Sequence, residues 1–178
     1  MDRLSAIQIL NQLDLKGRYV FTLRDLEKIL PEANQRTFQT GLSRLVKQGI
    51  LERAARGVYI FGLSKHKKGP HTIELIARSL RRGEYNNYVS LESALSEYGA
   101  ISQIPIDRLT VMTTGRKGEY RTPYGTIEFT HTKRPVSNIV QHIHDVGRPL
   151  RLASKQAAYR DLKRVGRNTH LVEENDED

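Results

Sequence analysis

The chain has 178 residues, enough for one large domain or two small ones with real cores. Its 29 Lys and Arg against 20 Asp and Glu leave a net charge of +9, which points to a polyanionic partner. Cysteine is absent, which excludes disulfide frameworks and thiolate zinc sites, and no apolar run approaches the roughly 20 residues that span a bilayer. The opening MDRLSAIQIL has an acid at position 2 and lacks a signal-peptide layout, so the expectation is a cytoplasmic protein. Residues 1–70 hold 13 basic and 6 acidic side chains, whereas the second half sets five of its acids in the tail Glu173–Asp178. The folded part of both halves is therefore basic. With no tryptophan and few aromatics, a base-stacking platform for single strands is not expected.

Leu4, Ile7, Leu10 and Leu13, with Ile9 beside them, predict an apolar helical stripe over about Arg3–Leu13, broken at Gly17. Tyr19-Val20-Phe21 is a short extended run. Thr22 then caps a second helix, with Asp25 three residues on where a capping box places its acid. Leu23, Leu26, Ile29 and Leu30 give its buried face, and Pro31 ends it.

After the turn Pro31-Glu32-Ala33, Asn34 caps a third helix whose apolar positions Phe38, Leu42, Leu45 and Val46 line one face. Its other face carries Arg36, Thr37, Gln39, Thr40, Ser43, Arg44 and Lys47. Gly49 stops it, and Ile50–Arg53 and Val58–Phe61 follow as a hairpin bearing Arg53 and Arg56. Helix, turn, helix and basic two-stranded wing in this order resemble a winged helix-turn-helix over residues 1–63. Arg suits guanine, Gln adenine, and Ser or Thr either, so the polar face is the candidate for the major groove. Lys47, Arg53 and Arg56 suit phosphates or the adjacent minor groove. Residues 64–71, rich in Gly, Pro and Lys, read as a basic linker whose Lys65, Lys67 and Lys68 extend the phosphate track.

The second domain, 72–169, starts with a helix from a Thr72 cap to Arg82, closed by Gly83. Tyr88–Gly99 follows, with Ser90 as cap and Leu91, Ala94, Leu95 and Tyr98 as the buried stripe. The period then changes. Leu109–Thr114, Glu119–Thr122 and Thr126–Thr132 read as an antiparallel meander, with Gly115-Arg116-Lys117-Gly118 and Pro123-Tyr124-Gly125 as its turns. Asn138–Val146 fits a helix or an edge strand, Arg148–Leu152 a strand, and Ser154 caps a last helix to about Val165. The class is α+β, the second domain holding a mostly antiparallel sheet with flanking helices, and residues 170–178 form an acidic tail expected to be disordered.

No pattern here asks for a cofactor, a metal or catalysis. Ser90 and Ser93 lack a nucleophile elbow and a placed base. Gly115–Gly118 lacks the phosphate-loop spacing, and Glu128 lacks the partner acids and lysine of a nuclease core. His142 and His144 would need a strand and a third ligand to hold zinc.

Beyond these readings the chain resembles the AbiEi-type antitoxins of type IV toxin–antitoxin pairs. The resemblance rests on the winged helix-turn-helix, on Tyr88-Val89-Ser90-Leu91-Glu92-Ser93-Ala94-Leu95-Ser96-Glu97-Tyr98-Gly99 followed by Ile104-Pro105 and Leu109–Thr114, and on Ala153–Asp161, similar to the family's closing helix. In that helix Lys155 and Gln156 stand where the family has proline and acid, and Tyr159 where it has leucine, while Ala153, Ala158 and Asp161 hold. The resemblance implies a repressor that binds inverted repeats in its own promoter. It also implies a C-terminal domain that counteracts a nucleotidyltransferase-like toxin without a stable complex. Two other readings stay open: a stand-alone winged-helix regulator, and an RNA- or tRNA-binding module in the C-terminal half.

Overall fold

The computed structural model describes residues 1–82, 86–101 and 107–172. Gly83, Ile104-Pro105 and the acidic tail from Glu173 lie outside these described residues. The chain forms two compact units that divide after Leu80, and together they are of the α+β class.

The first unit runs α1 (Arg3–Leu15), β1 (Val20–Thr22), α2 (Leu23–Ile29), α3 (Gln35–Lys47), β2 (Leu51–Ala55), β3 (Val58–Phe61) and α4 (Thr72–Leu80). The strands form an antiparallel sheet in the order β1-β3-β2, the winged-helix arrangement. The caps fall where the sequence places them. Thr22 accepts from the Asp25 amide while Asp25 accepts from the Thr22 amide, and Asn34 accepts from the Thr37 amide at 2.9 Å. Leu10, Phe21, Leu26, Phe38, Leu45 and Ile60 are among the core side chains, each worth about 1.5–3 kcal/mol of transfer free energy. Gly62 is held by contact: a methyl group there would enter the van der Waals sphere of the Gly49 carbonyl oxygen.

Two expectations for this unit change. In α1 the buried positions are Ala6, Leu10 and Asp14, while Leu4 and Ile9 are exposed. Asp14 turns inward because Ser64 donates to it from 50 residues away. The segment 64–71 is folded back in bonded turns: His66 stacks on Tyr19, and Thr72 donates to the Lys67 carbonyl. Thr72 is the first residue of α4 rather than a cap, and its hydroxyl meets the buried Tyr19 phenol at 2.8 Å. The helix from Thr72 thus lies with the winged-helix sheet, beyond the boundary that composition suggested.

The second unit runs β4 (Asn87–Val89), α5 (Leu91–Glu97), β5 (Arg108–Thr113), β6 (Gly118–Thr122), β7 (Gly125–His131), α6 (Val136–Gln141), β8 (Ile143–His144), β9 (Arg151–Ala153) and α7 (Lys155–Val165). Its sheet has the order β6-β7-β5-β4-β9-β8. The expected meander is corrected here. β7 lies between β5 and β6, parallel to β5 and antiparallel to β6. Gly115–Gly118 is therefore a crossing between strands that do not pair, and the hairpin is the turn at Pro123-Tyr124. Val111, Ile127 and Phe129 share one fully buried face of this pair, while Thr126, Glu128 and Thr130 on the opposite face of β7 are half-buried. Asn138–Val146 resolves into the end of α6 followed by the short strand β8, so both alternatives hold in part.

Candidate nucleic-acid interface

The helix α3 is the part of the first unit shaped for a groove. Thirteen residues at 1.5 Å per residue give a cylinder about 20 Å long. Phe38, Gly41, Leu42 and Leu45 anchor its inner face. Arg36, Thr37, Gln39, Thr40, Ser43, Arg44 and Lys47 are all exposed on the outside. Arg36, Thr40, Ser43 and Lys47 follow at intervals of four, three and four, one stripe along the axis.

The hydroxyls are directed by local bonds. Thr37 donates to Asn34 Oδ1 at 3.0 Å, and Thr40 donates to the Arg36 carbonyl at 3.0 Å. Their oxygens keep lone pairs free to accept from an amino group on a base edge. Gln35, at the start of α3, donates to Glu27 of α2 at 3.1 Å, a surface tie between the two helices. Sequence reading missed that role, because it requires a partner eight residues back across a turn. It also passed over Arg24 and Lys28, an exposed basic pair one turn apart on α2.

The wing adds charge beside the helix. Arg53 and Arg56 are exposed on the β2–β3 hairpin, whose turn is closed by Gly57 at φ +73°. Gly57 also accepts from the Leu23 amide at 3.0 Å, tying the wing to the start of α2. Lys65 and Lys68 are exposed, whereas Lys67 is already engaged with Glu52 of β2. Among the described residues, Arg36, Arg44, Lys47, Arg53, Arg56, Lys65 and Lys68 make no ion pair with a carboxylate. Seven unneutralised cations on one small unit form a field that attracts a polyanion.

In the second unit the residues of the Tyr88–Gly99 segment meet the closing helix. Ser90 stands at the N-cap position of α5, as expected, but its side chain makes no cap bond; its Oγ donates to Asp161 of α7 at 2.8 Å. Arg134 pairs with the other Asp161 oxygen at 3.2 Å, and the Tyr98 phenol donates to the Ala153 carbonyl at 2.8 Å. Burial raises the Asp161 carboxyl above its ordinary value, opposed by the Ser90 hydroxyl and by Arg134. The same burial, with Asp161 nearby, pushes the Tyr88 phenol up. Ser93 exchanges bonds with Thr110 of β5, its Oγ accepting from the Thr110 amide at 2.9 Å. Both serines are thus structural ties. His142 and His144 belong to no cluster that could hold a metal among the described residues, and no described helix is long and apolar enough to cross a membrane.

The first unit thus has the winged helix-turn-helix arrangement, with a polar, basic outer face on α3. Residues 8–62 match the family model described as "Transcriptional regulator, AbiEi antitoxin", so the resemblance read from the sequence holds over the winged-helix unit. No curated protein matches the chain.

Proposed function

We propose that this protein represses transcription of its own operon by placing α3 in the major groove of promoter DNA, and that its second unit counteracts a nucleotidyltransferase-type toxin as a type IV antitoxin. The observation that carries the DNA reading is the outward polar face of α3, with Arg36, Gln39, Ser43 and Arg44 exposed and the two arginines unpaired among the described residues. Arg36 and Arg44 supply bidentate donors for guanine, and Arg53, Arg56, Lys65 and Lys68 anchor phosphates around them. Two-fold repeats in the promoter would be filled by two copies.

The antitoxin reading rests on the family match and on the Ser90–Asp161 tie, which joins the two C-terminal segments that carry the resemblance. Co-expression with the toxin encoded beside it tests the reading. The full chain restores growth, and residues 1–80 alone retain promoter binding but do not restore it. Restoration by residues 1–80 would remove the division of labour.

A further inference from the structure

One wall of the second unit carries an unbroken run of alternating charges. Glu92 of α5 receives Arg167 on both oxygens, at 2.7 and 3.1 Å, and Arg167 continues to Glu128 of β7. Arg108 of β5 joins Glu128 at 2.7 Å and Glu119 of β6 at 3.3 Å, both through the single nitrogen Nη1. These five side chains line a concavity of about 340 Å³, within the range of small-molecule sites.

The inner end of this run is saturated and the outer end is not. Glu92 is buried and takes a third bond from Asn168 at 3.0 Å. Ser93 and Thr110, also on the wall, spend their hydroxyls on each other's backbone and on neighbouring carbonyls. Glu119, by contrast, is 45% exposed, and among the described residues its one ion-pair partner besides Arg108 is Arg121, 3.9 Å away and itself 88% exposed. Such a loose surface pair is worth little. Carboxylates therefore outnumber guanidinium groups on this wall, in a chain whose net charge is +9. An anion approaching Arg108 would meet Glu119 and Glu128 on the same guanidinium.

We propose that this concavity binds a small organic cation, through an amine or guanidinium group seated on Glu119. Such a group completes the alternation that Arg108 leaves open and forms charge-assisted hydrogen bonds with a carboxylate that has acceptor capacity to spare. The inference is independent of DNA binding by α3.

Calorimetric titration of the full chain with agmatine and with spermidine tests it. The expected result is saturable binding of at least one of them, at least tenfold weaker in Glu119→Gln and several-fold tighter in Arg121→Glu. The second variant changes a largely solvated side chain, so it reports even if the first folds poorly. No saturable binding overturns the proposal. So does binding indifferent to both variants, which is what attraction to the acidic tail Glu173–Asp178 would give.

Discussion

Ser90 Oγ donates to Asp161 Oδ2 at 2.8 Å, joining the start of α5 to the middle of α7 across 71 positions of sequence. Both residues are buried, so the hydroxyl is one of few groups that compensate an interior carboxylate. Replacing Ser90 by Ala leaves that oxygen with the much longer bond from the Tyr88 phenol, 3.5 Å. The expected cost is about 1–3 kcal/mol, read as a lower urea midpoint for the second unit with an unchanged m-value. If the serine were only a helix cap, Ser90→Asn would be tolerated; the buried geometry predicts that it is as harmful as Ala.

Glu92 gives the pH dependence a definite sign. Burial pushes its carboxyl up, but bonds from Arg167, from its own backbone and from Asn168 outweigh that and hold it below its ordinary value. A carboxyl depressed in the folded state contributes stability that is present above its unfolded pKa and lost as pH falls through the folded one. Glu92→Gln should therefore flatten the acid limb of the stability curve below about pH 4.5 and lower stability at neutral pH. An unchanged acid limb in thermal scans from pH 3 to 7 would contradict this.

The close approach of Gly62 to the Gly49 carbonyl predicts an effect unrelated to backbone freedom. Gly62→Ala must push apart the exit of β3 and the turn after α3, at about 1–3 kcal/mol of overpacking. Because that turn sets where α3 ends, promoter affinity should fall together with Tm. Full Tm with a methyl group at this position would mean that the two backbones separate freely.

How much of this was legible in the sequence depended on range. Thr22, Asn34 and Ser154 were readable as caps because each acts within three residues of itself, and all three do. The outward face of α3 was readable because periodicity reports which side of a helix is apolar. The pairing of β5 with β7 was not, since alternation in Leu109–Thr114 and Thr126–Thr132 tells which face is buried but not which strand lies alongside. Ser90 looked like a cap because its true partner is on the last helix, and Leu4 looked buried because Ser64 draws Asp14 inward instead. The concavity at Glu119 depends on four separate elements and had no sequence signal at all.

Within the proposed DNA contacts the cations divide by geometry. Arg36→Ala or Arg44→Ala should reduce discrimination between operator and scrambled duplex by about 1–3 kcal/mol if that side chain makes a bidentate base contact. Lys65→Ala and Lys68→Ala should weaken both duplexes alike, each lowering the slope of log K against log salt by about 0.9. Lys67→Ala should do less than either, since Lys67 is already bonded to Glu52.

The most direct measurement is a fluorescence-anisotropy titration of the full chain against a duplex of its own promoter region and a scrambled duplex at fixed salt. It is repeated with Arg36, Gln39 and Arg44 replaced together by Ala. The account predicts preferential binding of the promoter duplex, reduced to the scrambled level in the triple variant while weak salt-dependent binding persists. Equal affinity of the unaltered protein for both duplexes, or a preference untouched by the three substitutions, would contradict it.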